Sequence, residues 1–146
     1  MLLLQETWLY NFEHNVFDNI LQSCQYHAIS SMDETDIGRL GRPYGGCAII
    51  WHQNLNLSVV PINTLSKRIC AVHIKGDNFD CIFASIYMPN DDNSNNSFEI
   101  FGDVLYEIST LISLYDDSDI ILGGDINVDF SRSHFEEFRH FQTFYE

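Results

Sequence analysis

The chain has 146 residues, 45% of them hydrophobic, which excludes a disordered chain and predicts one globular domain over residues 1–146. Its 21 acidic and 7 basic residues give a formal net charge of −14, which disfavours non-specific attraction to nucleic-acid backbones and to anionic membrane surfaces. DNA is not thereby excluded as a partner, because a site that holds a divalent cation is built from carboxylates and the cation reverses the local charge.

The cysteines and the apolar segments bear on cellular location. Four cysteines lie far apart without a Cys-x-x-Cys pair, which predicts reduced, mostly buried thiols of a nuclear or cytoplasmic protein and does not indicate a zinc site. The apolar start of the chain is interrupted at Gln5 and Glu6, so no signal peptide is predicted. No stretch is long enough to span a membrane, and we expect a protein that is not secreted and has no membrane partner.

The first predicted elements are a strand over residues 2–4, a helix over residues 15–22 and a short strand over residues 26–29. Glu6 lies just beyond the carboxyl end of the first strand. Taken alone, Glu6 is more typical of an ordinary surface carboxylate. A domain rarely begins inside a core strand, so we expect earlier sequence to precede this chain.

After a polar loop come four β-like runs, over residues 45–51, 55–62, 68–74 and 79–87. Their short polar connections predict an antiparallel meander, so the sheet is expected to be mixed or antiparallel. Tyr87 ends the last run and precedes Met88-Pro89, where its hydroxyl could donate to a phosphate. A tyrosine that packs in the core is equally consistent with this position.

The next predicted elements are a helix from Asn96, with Glu99 completing its cap, to about Tyr115, and a strand over residues 120–122. The apolar, β-branched character of that strand predicts burial on both faces, and the glycine pair Gly123-Gly124 is expected to end it. A last helix is predicted from Ser133.

Asp125 and Asn127 directly follow the central strand. A carboxylate and an amide at the carboxyl end of a buried strand can bind a divalent cation and orient a water molecule or a phosphoryl oxygen. If the strands that precede Glu6 and Asp125 are parallel neighbours in one sheet, both carboxylates meet at one rim of that sheet and form a metal site.

Two alternatives apply to this stretch. Asp125, Asn127, Asp129 and Glu136 match four ligand positions of a helix–loop–helix calcium loop, but the position that needs glycine is Phe130, and a strand precedes the loop where a helix is required. Asp125 and Asn127 are also typical of a solvated Asx-type turn without further function.

Four short motifs follow one another along the chain: LQETWL at residues 4–9, GGCAI at residues 45–49, IYMPN at residues 86–90 and LGGDIN at residues 122–127. Together they resemble the endonuclease/exonuclease/phosphatase superfamily over nearly the whole chain. The chain is most similar to the endonuclease domain of non-long-terminal-repeat (LINE-type) retrotransposons. This resemblance implies a four-layered α/β sandwich of two mixed β-sheets flanked by helices, here incomplete.

The resemblance also implies hydrolysis of phosphoester bonds with a divalent metal, Mg²⁺ or Mn²⁺. By matching position, Glu6 would bind the metal, and Tyr87 would contact the scissile phosphate. Asp125 would orient or activate the attacking water, and Asn127 would hold the phosphate and stabilise the charge of the pentacovalent transition state. A complete domain of this kind would nick DNA to prime reverse transcription, with a reverse transcriptase domain downstream.

Two parts of the family pattern are absent: an asparagine upstream of Gln5-Glu6 and a C-terminal Ser-Asp-His motif. We therefore expect a chain that is truncated at both ends and impaired in activity. Two other functions stay open from the sequence. One is a phosphatase or phosphodiesterase of the same superfamily acting on small phosphoesters, which the acidic balance slightly favours. The other is a non-catalytic remnant or interaction module.

Overall fold

The structure is a computed structural model that describes residues 1–33, 35, 43–90 and 94–128. A short 3₁₀ turn at Asn11–Glu13 precedes the first α-helix. The helices and strands in chain order are β1 (Leu2–Gln5), α1 (Val16–Ile20), β2 (Cys24–Ile29), β3 (Cys47–His52), β4 (Ser58–Ile62), β5 (Ile69–Gly76), β6 (Phe79–Tyr87), α2 (Asn95–Leu114) and β7 (Asp119–Asp125).

These strands form two sheets. The first has the order β1-β3-β2 and is antiparallel throughout, whereas the second has the order β4-β5-β6-β7 and is mixed, because β7 runs parallel to β6. The predicted two-sheet α/β sandwich is confirmed, although only one of the two sheets is mixed within the described residues. The predicted four-strand meander is wrong in its first member, because β3 lies in the other sheet and only β4, β5 and β6 form the meander.

The position of β3 follows from its two apolar faces. Cys47, Ile49 and Trp51 point into the space between the sheets, and Ala48 and Ile50 pack toward α1. A strand that is apolar on both faces needs cover on both sides, which the middle of a layered fold provides. Short connections and apolar patterning do not determine which of two sheets a strand joins. For this reason β3 was wrongly predicted to belong to the meander.

The core between the sheets joins β3 to alternate residues of β5, namely Cys70, Val72 and Ile74. All four cysteines are free, and all but Cys24 are buried, as the sequence predicts. Burial raises the pKa of Cys47 and of Cys70 to about 12, so both thiols stay protonated at neutral pH.

The helix α2 covers the outer face of the second sheet with a stripe of buried apolar side chains: Phe101, Val104, Leu105, Ile108 and Leu111. Its N-cap is Ser94, two residues before the predicted cap Asn96, because the Ser94 hydroxyl accepts from the backbone N–H of Ser97 at 3.1 Å. The shorter α1 packs through Phe17 on the outer face of the first sheet. The resulting order of helix, sheet, sheet and helix gives the four predicted layers. No helix in the described part of the chain has the length and apolar character needed to cross a membrane.

The strand β7 differs from its prediction in two respects. It continues through Gly123 and Gly124 to Asp125, because Gly124 (φ +147°) lacks the Cβ that would collide with the Ile86 carbonyl of β6. Its apolar run is not buried on both faces, since Ile121 is 45% exposed. Within the described residues β7 is an edge strand, and at Ile121 the opposite sheet does not cover it.

Candidate active site

Three predicted site residues lie at the carboxyl ends of β1, β6 and β7. Tyr87 and Asp125 are register partners on the parallel strands β6 and β7. The Tyr87 hydroxyl donates a hydrogen bond to Glu6 Oε1, 2.6 Å away, and Glu6 directly follows β1. The prediction that β1 and β7 are parallel neighbours in one sheet is wrong, because they belong to different sheets. Their ends meet across the sandwich instead, with Tyr87 between them.

Tyr87 combines the two roles that the sequence left as alternatives. Its ring packs in the core between the sheets and is only 8% exposed, while its hydroxyl reaches the rim at Glu6. Burial, reinforced by the hydrogen bond to Glu6, raises the pKa of Tyr87 to about 12. The hydroxyl is therefore protonated at neutral pH and can act only as a neutral hydrogen-bond donor or acceptor.

Arg68 contacts Tyr87 and was not among the site residues predicted from the sequence. Its guanidinium lies 5.3 Å from the centroid of the Tyr87 ring, and its Nη1 donates to the Tyr87 carbonyl at 3.3 Å. A cation over an aromatic face is attracted by the negative face of the ring. Arg68 directly precedes β5, and the pairing of Ile69 with Ile86 in adjacent strands brings it to this rim. Knowledge of the strand register would have identified it.

Asp125 and Asn127 form a compact turn after β7. The Asn127 backbone N–H donates to Asp125 Oδ1 at 3.1 Å, which is the Asx-type bond that the simplest alternative predicts. The Asn127 side chain does more, because its Nδ2 donates to the Met88 carbonyl at 2.8 Å, while the Met88 N–H donates to the Asp125 carbonyl at 2.9 Å. These bonds tie the turn to the end of β6 and leave the exposed Asp125 carboxylate at the rim.

The backbone around Glu6 is held in an uncommon conformation. Glu6 (φ +52°) and Trp8 (φ +56°) both lie in the left-handed region, which is costly for residues other than glycine. The N–H groups of Thr7 and Trp8 donate to the carbonyls of Gly46 (3.3 Å) and Gly45 (2.9 Å). A Cβ on Gly46 would collide with the Thr7 hydroxyl, so this approach explains the glycine pair in the GGCAI motif.

A buried polar bridge joins the two sheets one residue before Glu6. Gln5 Nε2 donates to Ser85 Oγ at 2.8 Å, and Ser85 Oγ donates to the Leu4 carbonyl at 3.0 Å. Ser85 is fully buried and lies two residues before Tyr87 on β6. The bridge therefore fixes the end of β1 against the end of β6. The bridge is not predictable from the sequence, because the partner of a serine inside an apolar strand depends on how the two sheets stack.

Replacing Ser85 with alanine is expected to lower the free energy of unfolding by about 1–3 kcal/mol, because Gln5 Nε2 and the Leu4 carbonyl lose a partner in a buried position. Urea unfolding measures the effect. Ser113→Ala is the matched control, since the Ser113 hydroxyl is exposed on α2 and donates only to the Ser109 carbonyl. Equal effects of the two substitutions would show that the bridge does not stabilise the fold.

Glu6 and Asp125 are the acidic side chains that could hold a metal at this rim. Both are exposed, and within the described residues no group of three or more histidine, cysteine, aspartate or glutamate side chains is arranged so that it could hold a metal ion. One or two carboxylates suit Mg²⁺, which keeps several waters and takes further ligands from the substrate. The donor set therefore fits that ion. The calcium-loop alternative requires a helix before the loop, and the structure has the strand β7 there instead. The remaining parts of that alternative lie outside the described residues: Asp129, Phe130, Glu136 and the helix predicted from Ser133.

A cavity of about 840 Å³ adjoins the site at Arg68. Tyr44, Lys67 and Arg68 line one side of it, and the exposed face of α2 lines the other. Neither Glu6 nor Asp125 is part of its wall. The cavity therefore lies beside the candidate active site and is not the site itself.

Solved structures with the same fold include nucleases and a phosphatase. The endonuclease domain of TRAS1, a telomere-specific non-LTR retrotransposon, aligns with a TM-score of 0.57 and 16% identity over 82% of this chain and 50% of that chain. The 3′ phosphatase NExo from Neisseria aligns at 0.62 with 15% identity, over 98% and 58% of the two chains. An AP endonuclease from Archaeoglobus fulgidus aligns at 0.54 with 18% identity, also over 98% and 58%.

No family model matches the sequence, and a search of curated proteins finds no match. The chain spans between 50% and 58% of the length of the three structures above. At 15–18% identity these similarities establish the fold of the chain but not the reaction that it catalyses. The chain therefore has the fold of the endonuclease/exonuclease/phosphatase superfamily, the family that its four sequence motifs resemble.

Proposed function

We propose that the chain is a retrotransposon-type endonuclease domain that hydrolyses phosphodiester bonds of DNA with the help of Mg²⁺ or Mn²⁺. One observation carries the proposal: the Tyr87 hydroxyl contacts Glu6 at 2.6 Å while Tyr87 pairs in register with Asp125, so three polar groups from distant parts of the sequence share one rim. Stability of the fold alone does not require the exposed carboxylate of Glu6 to accept from the hydroxyl of a tyrosine whose ring is buried.

Each side chain would then have a defined role. Asp125, exposed and held by the Asn127 N–H, would accept a hydrogen bond from the attacking water and orient it. Tyr87 would transfer its hydrogen bond from Glu6 to an oxygen of the scissile phosphate, since its raised pKa keeps it a donor. The second N–H of the Asn127 amide, whose first donates to Met88, would stabilise developing charge on the phosphate.

Glu6 is the residue that we assign to the metal, and Asp125, the register partner of Tyr87, would contact water molecules bound to that ion. The bound cation would supply charge neutralisation for the phosphate oxygens during attack. The Gln5–Ser85 bridge would keep Glu6 in place while its hydrogen bond to Tyr87 is exchanged. Such a domain would act where DNA is present, in the nucleus or, during replication of the element, in the cytoplasm, beside a reverse transcriptase domain of the same product.

Hydrolysis of small phosphoesters by the same site is the second candidate, because the net charge of −14 repels a polyanionic duplex more than a small molecule. The two are separated by incubating the chain with supercoiled plasmid and with inositol phosphates, in Mg²⁺, in Mn²⁺ and in EDTA. We expect metal-dependent nicking of the plasmid and no phosphate release. Release of phosphate from the inositol phosphates while the plasmid stays intact would reject the endonuclease assignment. Activity on neither substrate would favour a non-catalytic module.

A further inference from the structure

Arg68, which directly precedes β5, contacts Tyr87 in three ways. The Arg68 carbonyl accepts from the Tyr87 N–H at 2.9 Å, the Arg68 Nη1 donates to the Tyr87 carbonyl at 3.3 Å, and the guanidinium carbon lies 5.3 Å from the centroid of the Tyr87 ring. The first of these bonds continues the pairing of β5 with β6 and follows from the strand register alone. The other two are made by the arginine side chain, and strand pairing does not require them.

The charge of Arg68 is directed at an aromatic ring and not at an acid. Within the described residues, ion pairs are formed by Lys67, His73 and Lys75, and none involves Arg68. A cation over the face of a tyrosine ring is attracted to it, and the attraction is stronger where water is partly excluded. Burial raises the pKa of Tyr87 to about 12, and the charge of Arg68 acts against this rise, which makes the hydroxyl a better hydrogen-bond donor.

The segment before β5 is also tied to the loop that carries Glu6. Ser31 Oγ donates to the Lys67 carbonyl at 3.0 Å and accepts from the Gly46 N–H at 2.8 Å. The Gly46 carbonyl in turn accepts at 3.3 Å from the N–H of Thr7, which follows Glu6. Two routes therefore join this segment to Glu6, one through these bonds and the other through the tyrosine ring that the guanidinium contacts.

We propose that Arg68 is a positioning residue for Tyr87, which fixes the ring so that the hydroxyl can exchange Glu6 for a phosphate oxygen without movement of the ring. This inference rests on the proposed function and adds a residue that acts on the substrate only through Tyr87. With the ring held in place, only the O–H bond has to rotate when the acceptor changes. The step is then spared the cost of ordering a side chain.

The NMR signal of the Tyr87 Cζ tests the proposal without turnover. The full chain is labelled with ¹³C at the Cζ of tyrosine, the signal is assigned with Tyr87→Phe, and spectra are recorded without divalent cations. Glu6→Gln exchanges the carboxylate acceptor of the hydroxyl for a weaker one and should shift this signal in the wild-type background. We expect this shift to be nearly lost in Arg68→Met, whose uncharged side chain no longer holds the ring, and to be partly restored in Arg68→Lys.

Lys67→Met is the matched control, because it removes a positive charge from the adjacent position. Lys67 is exposed and paired with Asp33 at 2.6 Å, and the response of the Tyr87 signal to Glu6→Gln should be the same as in the wild-type background. A response that survives unchanged in Arg68→Met, or that Lys67→Met reduces as much, would overturn the proposal. Should Arg68→Met not fold, Arg68→Gln is measured in its place.

Nicking kinetics separate positioning from direct contact with the substrate. Arg68→Met is expected to lower kcat by about 2- to 30-fold, the range of a cation–π contact, and to leave KM for plasmid DNA nearly unchanged. In a Tyr87→Phe background, which lacks the hydroxyl, the same substitution should cause no further loss. An equal loss in both backgrounds, or an increase of KM alone, would overturn the proposal.

The two readouts distinguish this proposal from the proposed function. Dependence of the Tyr87 signal on Arg68 without any nicking supports the positioning role and rejects the proposed catalytic function alone. Nicking without that dependence rejects the role of Arg68 alone.

Discussion

Replacing Asp125 with asparagine is expected to lower the rate of plasmid nicking by about 10²- to 10⁴-fold. The amide keeps the shape of the side chain and can still accept the Asn127 N–H, so the turn after β7 is preserved. It removes the negative charge and the basicity with which the carboxylate would orient the attacking water. The loss should therefore appear in the rate of the chemical step and not in the unfolding transition.

Asp119→Asn is the control for this change. Asp119 is also an exposed aspartate of β7, but it begins the strand, at the end opposite to the candidate site. The substitution removes the same charge from the same strand and is expected to change the nicking rate by less than about threefold, since exposed charges so distant are largely screened. Similar losses in both variants would show that the effect arises from net charge.

Replacing Gly124 with alanine is expected to destabilise the fold by about 3 kcal/mol or more. Gly124 has a φ of +147°, which side chains other than that of glycine rarely allow, and a Cβ there would collide with the backbone of Ile86 on β6. Backbone atoms inside a sheet cannot move aside as a flexible side chain can. The parallel pairing of β6 and β7 should separate at the position that carries Asp125, so nicking should be lost as well.

Gly102→Ala tests the same substitution where space is open. Gly102 lies inside α2, and apart from the adjacent residues and the backbone of the helix itself no atom lies within 4 Å of the position that its Cβ would take. Alanine is a better helix former than glycine, so this variant is expected to be more stable than the wild-type chain by about 0.5–1 kcal/mol. Urea unfolding of both variants should show shifts of opposite sign, and a shift of the same sign would contradict the close approach of Gly124 to β6.

The elements that follow from local pattern were predicted well. The apolar stripe of α2, the strands β5 and β6, and the position of Glu6 and Asp125 just after or at strand ends could all be read from residue spacing, because a buried face repeats with the period of its element. The roles of Glu6, Tyr87, Asp125 and Asn127 came from the motif resemblance, and their catalytic assignment stays a prediction.

The features that depend on stacking of the two sheets could not be predicted in this way. Three features involve residues that are distant in sequence: membership of β3 in the first sheet, the hydrogen bond between Glu6 and Tyr87 across the sandwich, and the Gln5–Ser85 bridge. The glycine pair before Asp125 predicts the end of the strand, because glycine usually interrupts strands. In β7 the absent Cβ of Gly124 instead allows the strand to pass close to Ile86, which no single-sequence pattern reports.

The central claim is that Glu6, which follows β1, and Asp125, which ends β7, act as one site, and a double-mutant cycle tests it most directly. Nicking rates of Glu6→Gln, Asp125→Asn and the double variant are compared with that of the wild-type chain in Mg²⁺. Residues that act as a unit show strongly non-additive losses, so the double variant is expected to be about as slow as the slower single variant. Single losses that multiply in the double variant, or a wild-type chain that nicks no plasmid, would contradict the account.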